Sequence, residues 1–257
     1  VAHNILGDLF YSIFPQQNKY LTYGDGNSPI ILSAPHGGNI QPISIPKRTW
    51  GNRSRDTYTR RLIQRIIELL PEKPYFIYSD IHRNRVDLNR DIEEAAQGNK
   101  SAKRIWETWN EELQRYTSFV SKKYGKGLYI DIHSHNNSNL FQIGYGLKVK
   151  DYLDLRGGWE IKNHSTLFPL VNQHYSEKSL CFGYNSIISD LEYSGYNVLV
   201  PKDEAKYLNG GRNIREFHGN EIGAIQVECP IPVLKNDLDR VARALANSIQ
   251  SFQQSFL

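Results

Sequence analysis

The stretch Leu128-Tyr129-Ile130-Asp131-Ile132-His133-Ser134-His135-Asn136 constrains the fold more than any other part of the chain. Apolar residues run up to Ile132, and a dense polar cluster then begins with no helix breaker between. A buried strand that delivers side chains to the carboxyl edge of an α/β sheet, where ligands bind, has this pattern. His133 and His135 lie two residues apart, so on a strand they point to the same side and can line one pocket. Taken alone, a histidine at a strand end is more often a hydrogen-bonded structural residue than a metal ligand. The weight comes from three further polar clusters at the ends of other apolar runs.

Residues 29–34 form a short apolar run that ends in Pro35-His36-Gly37-Gly38-Asn39, a glycine-rich turn with backbone N–H groups free to face a ligand. Residues 56–70 carry apolar positions at helical spacing, and Pro71 and Pro74 stop them. Residues 75–78 read as a second strand, followed by a basic stretch from Asp80 to Arg90. The spacing predicts a long helix over 99–123, strands over 128–132 and 141–146, a helix over 186–194 and strands over 196–200 and 224–229. A closing helix is expected over 235–252. Residues 1–27 read as a helix-like start and a polar turn, and 147–185 show no sustained period. Strands alternate with helices, so the expected class is α/β: one domain over 1–257, with a motif-bearing core of about 28–252.

An apolar fraction of 39% and a charged fraction of 23% belong to an ordinary globule with a real core. No apolar run approaches the roughly 18 residues of a membrane span. A net charge of +4 with dispersed Lys and Arg argues against nucleic acid as a partner. Arg53, Arg55, Arg60, Arg61 and Arg65 read as solvated helix faces and ion pairs. Cys181 and Cys229 belong to no C-x-x-C pair, which argues against a disulfide framework or a thiolate zinc site. Lack of a signal segment favours the cytoplasm, although a start at Val1 rather than Met leaves export open.

The four polar clusters are His36, the stretch Arg83-Asn84-Arg85-Val86-Asp87-Leu88-Asn89-Arg90, His133 and Glu228. In an open α/β sheet such strand ends converge on one crevice. Two histidines and a carboxylate with an open fourth position are the ligand set of a catalytic zinc. A further carboxylate is then needed as general base, and Glu228 suits that role beside the proline that ends its strand. Alternation places Glu228 on the same face as Gln226 and Ala224. Arginine forks bind carboxylates in a bidentate manner, so the basic stretch points to an anionic substrate.

The motifs PHGG (35–38), RVDLNR (85–90), DIHSH (131–135), NGG (209–211) and VEC (227–229) occur in the order seen in the N-formylglutamate amidohydrolase family, which the chain resembles over residues 35 to 229. That family is similar to the zinc carboxypeptidases and aspartoacylases, so the resemblance implies a mixed twisted central sheet flanked by helices. It also implies one zinc ion held by His36, Asp56 and His133. The His-x-x-Glu pattern of the carboxypeptidases fails here, because Asn39 stands third after His36, and Asp56 matches the family's aspartate instead. A helix N-cap is the rival reading of Asp56. Glu228 resembles the general base, and Arg83 the arginine that polarises the scissile carbonyl. Asn89 and Arg90 resemble the pair that grips the substrate carboxylate, which leaves Arg85 as structural. His135, Asn209 and His218 are candidates for the pocket lining. The expected activity is zinc-dependent hydrolysis of an N-acyl amino acid such as N-formylglutamate, or of a short acidic peptide. A carboxypeptidase or a γ-glutamyl or cell-wall peptide hydrolase is the alternative within this chemistry. From another class, an anion-binding module without metal is the alternative.

Overall fold

A computed structural model describes residues 16–257. The expected helix-like start over residues 1–15 lies outside the described residues. Seven strands form one mixed sheet: β1 (Gln16–Asn18), β2 (Leu21–Gly24), β3 (Ile30–Ala34), β4 (Tyr75–Ser79), β5 (Gly127–His135), β6 (Gln142–Gly144) and β7 (Ile222–Pro230), in the spatial order β1-β2-β4-β3-β5-β7-β6. The central strands β4, β3, β5 and β7 are parallel, antiparallel β2 and β6 flank them, and β1 pairs antiparallel to β2 at the outer edge. The expected class and mixed sheet are what the chain adopts.

The first crossover is α1 (Thr59–Leu69), which buries Leu62, Ile63 and Ile66. After β4 come α2 (Ile92–Ala96) and α3 (Lys100–Tyr124). The Asn99 side chain caps α3 by accepting from Ala102 N, and Gly125 ends it at φ +75°, a left-handed turn that costs glycine least. The 147–217 region holds α4 (Val149–Gly157), α5 (Glu177–Phe182), α6 (Ile187–Tyr193) and α7 (Arg212–Phe217). The helix expected over 186–194 is α6, and the shortness of α4 and α5 is why no long period was readable over 147–185. The closing α8 (Ile231–Phe256) is longer than the expected 235–252 and breaks helical geometry at Asp237. Pro232 sits in its first turn, where a missing N–H costs nothing.

Each parallel strand alternates between two cores. Leu32, Leu128, Ile130, Ile225 and Val227 pack with α1, α6 and α8, whereas Ile31, Tyr129 and Ala224 face α3 and α7. On the second face the strands turn polar toward their carboxyl ends. Ser33, Asp131 and Gln226 form one cross-strand row, and His133 pairs with Glu228 above it.

Two expectations are corrected. Residues 21–24 are a strand rather than part of a helix-like start, held antiparallel to β4 by the register Leu21↔Ser79. Residues 196–200 are not a strand: only an isolated bridge joins Val198 to Phe141, because β6 is three residues long and offers no ladder to extend. Cys181 and Cys229 are both free and buried. Among the described residues no helix is long and apolar enough to cross a membrane.

Candidate metal centre

His36 comes two residues after the end of β3, His133 is the seventh residue of β5, and Glu228 is the seventh of β7. Asp56 arrives from the loop before α1, with its N–H bonded to the His36 carbonyl at 3.1 Å. The residue that caps α1 is Tyr58, without a side-chain cap bond, so the N-cap reading of Asp56 gives way. Its carboxylate turns inward instead, to His133 Nδ1 at 2.7 Å.

His36 Nδ1, His133 Nδ1 and Asp56 Oδ2 are the corners of a buried triangle with edges of 3.3, 2.7 and 3.4 Å. Tetrahedral zinc ligands at about 2.0–2.1 Å from the ion stand roughly 3.4 Å apart, so two of the edges already have the required length. The backs of both rings are anchored. His36 Nε2 lies 2.7 Å from Asp87 Oδ1, and His133 Nε2 lies 3.0 Å from Asp131 Oδ2. An ionised carboxylate only accepts, so each Nε2 carries the proton and each Nδ1 is left to face the centre. Two such nitrogens and a carboxylate converging in the interior need a cation between them. A proton on His133 Nδ1, shared with Asp56, is the smallest that serves. Burial pushes the His133 pKa down, but Asp131 and Asp56 outweigh it and raise it well above the usual imidazole value. Burial likewise pushes Asp56 up, yet His36 and His133 hold it well below the carboxylate range. Two imidazoles and a carboxylate, oriented by further carboxylates, are a donor set that fits zinc.

The anchors are themselves fixed. Asp87 accepts from Arg83 Nε at 2.8 Å and from Arg48 Nη1 at 3.5 Å. Asp131 accepts from the Ser33 hydroxyl and from Asn213 Nδ2 at 3.2 Å.

The triangle opens into a cleft of about 470 Å³. Glu228 stands in its wall, 6% exposed, and Oε1 accepts from Gln226 Nε2 at 2.7 Å. Burial raises its carboxyl; His133 pulls it back and Asp56 pushes it up again, which leaves it at about 7. Arg83 also lines the cleft; Nη1 lies 3.5 Å from Asp56 Oδ1, and Nη2 has no bonded partner among the described residues.

The remaining expected residues divide. Arg90 lines the cleft, its Nη1 bonded to the Asn89 carbonyl. Asn89 lines it too, but its Oδ1 accepts from Asn213 N and its Nδ2 lies 3.1 Å from His133 Nε2. His135 borders the cleft while its ring clips the following turn, with Nε2 donating to the Leu140 carbonyl and Nδ1 accepting from Asn137 N. Asn209 borders it and braces the Leu147 carbonyl through Nδ2. His218 is a correction: it is exposed, ahead of the amino end of β7, in a separate depression beside α3. Residues at that end of a parallel strand are as far from the carboxyl edge as the sheet allows.

Sequence reasoning missed Arg55, assigned to a solvated face. It lines the cleft, with no hydrogen-bond or ion-pair partner among the described residues. Its position immediately before Asp56 was the available signal. Arg60 and Arg65 are ion-paired as expected, to Asp80 and to Glu68 and Asp239.

This architecture is found in known proteins. The chain matches N-formylglutamate amidohydrolase from Ralstonia eutropha with a TM-score of 0.55 and 13% identity, over 90% of this chain and 97% of that one. The fold matches. A gene product of Agrobacterium tumefaciens matches with a TM-score of 0.62 and 10% identity, over 93% and 96% of the two chains. At these identities the likeness is one of fold. No protein-family model and no curated protein matches the chain.

Proposed function

We propose that this chain is a metal-dependent hydrolase that cleaves the amide of an N-acyl amino acid or short peptide bearing a carboxylate. One observation carries the reading: two histidines, each backed by a buried carboxylate, turn Nδ1 toward Asp56 beside an independent buried glutamate. His36, Asp56 and His133 would hold the ion. Zinc in such a set supplies Lewis acidity and brings the pKa of its water toward 7.

The protein's own groups supply the rest. Glu228, poised at about 7, is suited to take a proton from the attacking water and return it to the departing amine nitrogen. Arg83 keeps a free Nη2 for the oxyanion that forms at the scissile carbonyl. Arg90 and Arg55 offer forked donors for the substrate carboxylate, and the Asn89 Oδ1 is engaged by the α7 start, accepting from Asn213 N, rather than facing a ligand. Asp87 and Asp131 keep the rings from turning. The resemblance to the formylglutamate family motivates N-formylglutamate as the first substrate to try.

The test is turnover of N-formyl, N-acetyl and N-succinyl amino acids by zinc-loaded enzyme. Hydrolysis that chelation abolishes, and that falls about 10²–10⁴-fold in kcat for Glu228→Gln, supports the reading. Chelator-resistant binding of N-acyl glutamate, with no turnover under any metal, would favour the anion-binding module.

A further inference from the structure

Beyond the metal cleft the surface continues as a groove. The cleft shares Asn52 and Ser54 with a neighbouring depression lined also by Lys47, Gly51, Arg53 and Asn84. That depression shares Lys47 with a third, which runs along residues 46–50 to Ala96 and Gln97. Among the described residues no carboxylate lines either extension, and Glu94, which lies beside Gly51, is already paired with Arg48 and Arg90.

The charge there is unbalanced. Among the described residues Lys47 and Arg55 have no hydrogen-bond or ion-pair partner, and the Arg53 side chain bonds to the Arg48 carbonyl and to no carboxylate. The Arg85 side chain bonds to the Ile45 carbonyl, and its buried Nε has no partner among the described residues. The buried Asn84 Oδ1 is unpartnered too. His82 registers this field: burial lowers its pKa first, and Arg55, Arg85 and Lys47 each lower it further. A chain whose overall charge is only +4 thus gathers unpaired cations along one groove that leads to its reactive centre. Cations gathered along one groove repel one another unless an anion lies among them.

We propose that the groove formed by Lys47, Arg53 and Arg55 holds the continuation of the substrate, and that this continuation is an acidic peptide chain with repeated carboxylates. The inference rests on the amide-hydrolase reading, because it is the metal centre at the groove's end that makes the occupant a substrate. A single N-acyl amino acid fills only the metal cleft, and additional acidic residues add ion pairs along the groove. Whether the carboxylates come from α-linked or γ-linked glutamate is a matter of backbone, since both present one anion per residue.

The experiment compares N-acetylglutamate with N-acetylated glutamate oligomers of two, four and six residues, in α-linked and γ-linked series, on zinc-loaded wild type and Lys47→Glu/Arg53→Glu. The wild-type kcat/KM is expected to rise about ten-fold from dimer to hexamer in one series, the gain two exposed ion pairs supply. The double variant should lose that gain through KM and leave N-acetylglutamate turnover within about two-fold, with salt erasing the same advantage. Binding of a labelled hexamer to Glu228→Gln, followed by anisotropy, reads the groove without turnover. Weakening by the charge reversal there upholds the groove even if no substrate is cleaved, a result that would count against the hydrolase reading alone. Length-independent kcat/KM, or hexamer binding unchanged by the reversal, overturns the groove. So does an oligonucleotide of equal charge that binds as tightly as the peptide.

Discussion

His133 presents Nδ1 to the cleft because its Nε2–H donates to Asp131, and Asp131 is held by Ser33 and Asn213. Asp131→Asn leaves the size unchanged but removes the acceptor charge. Zinc affinity is expected to fall about 10–100-fold, measured by competition with a chromogenic chelator; unchanged affinity would mean that the carboxylate does not orient the ring. Glu228 makes a pH-dependent prediction. An ordinary glutamate titrates near 4.5 and this one is pushed up to about 7, so in metal-free protein the folded state still holds a proton that the unfolded state has lost across that window. The buried charge therefore penalises folding increasingly as pH rises from about 4.5 to 7, and fully above 7, on the order of 3 kcal/mol. Glu228→Gln should stabilise metal-free protein against urea at pH 8 and change little at pH 5; equal effects at both would contradict the shift. His36, His133 and Glu228 were readable because each ends an apolar run. The work of Asp87 and Asp131 was not, since it depends on which ring nitrogen faces inward. Arg55 was misassigned because it precedes a helix whose other arginines do form surface ion pairs.

The glycines of the turn after β3 owe their place to packing. A Cβ on Gly38 would meet the Asp80 backbone at 2.3 Å, and one on Gly37 would meet Arg60 N at 2.6 Å, at the start of α1. The turn lets the β4 end and the α1 start close around His36, so backbone approach and ligand geometry are one constraint. Gly38→Ala should cost about 1–3 kcal/mol of stability and displace His36, read together as a lower Tm and weaker zinc binding. Intact stability would show that the contact relaxes freely. Long α3 and the strands β3, β4, β5 and β7 were legible from apolar period and length. Short β1 and β2 were not, because three or four residues carry too little alternation to outvote their neighbours. The helix expected over 186–194 is α6, but α4, α5 and α7 were hidden for the same reason, and the apolar run over 196–200 is packed as a loop against Phe141.

At the scale of the molecule, the parallel order β4-β3-β5-β7 brings residues 36, 56, 133 and 228 to one edge, far apart in sequence and within one cleft. That convergence is what a metal centre needs, and the unpaired cations beside it give the same edge its field. Both follow from strand order, which composition does not reveal: a net +4 read as diffuse charge becomes a directed groove once folded. The most direct test of the central claim is metal content after zinc loading and removal of loosely bound ions, by elemental analysis of wild type, His133→Ala and Glu228→Gln. One zinc per chain in the wild type and in Glu228→Gln, with almost none in His133→Ala, is the predicted result. Zinc retained in His133→Ala, or none in the wild type, would contradict the assignment of His36, Asp56 and His133 as its ligands.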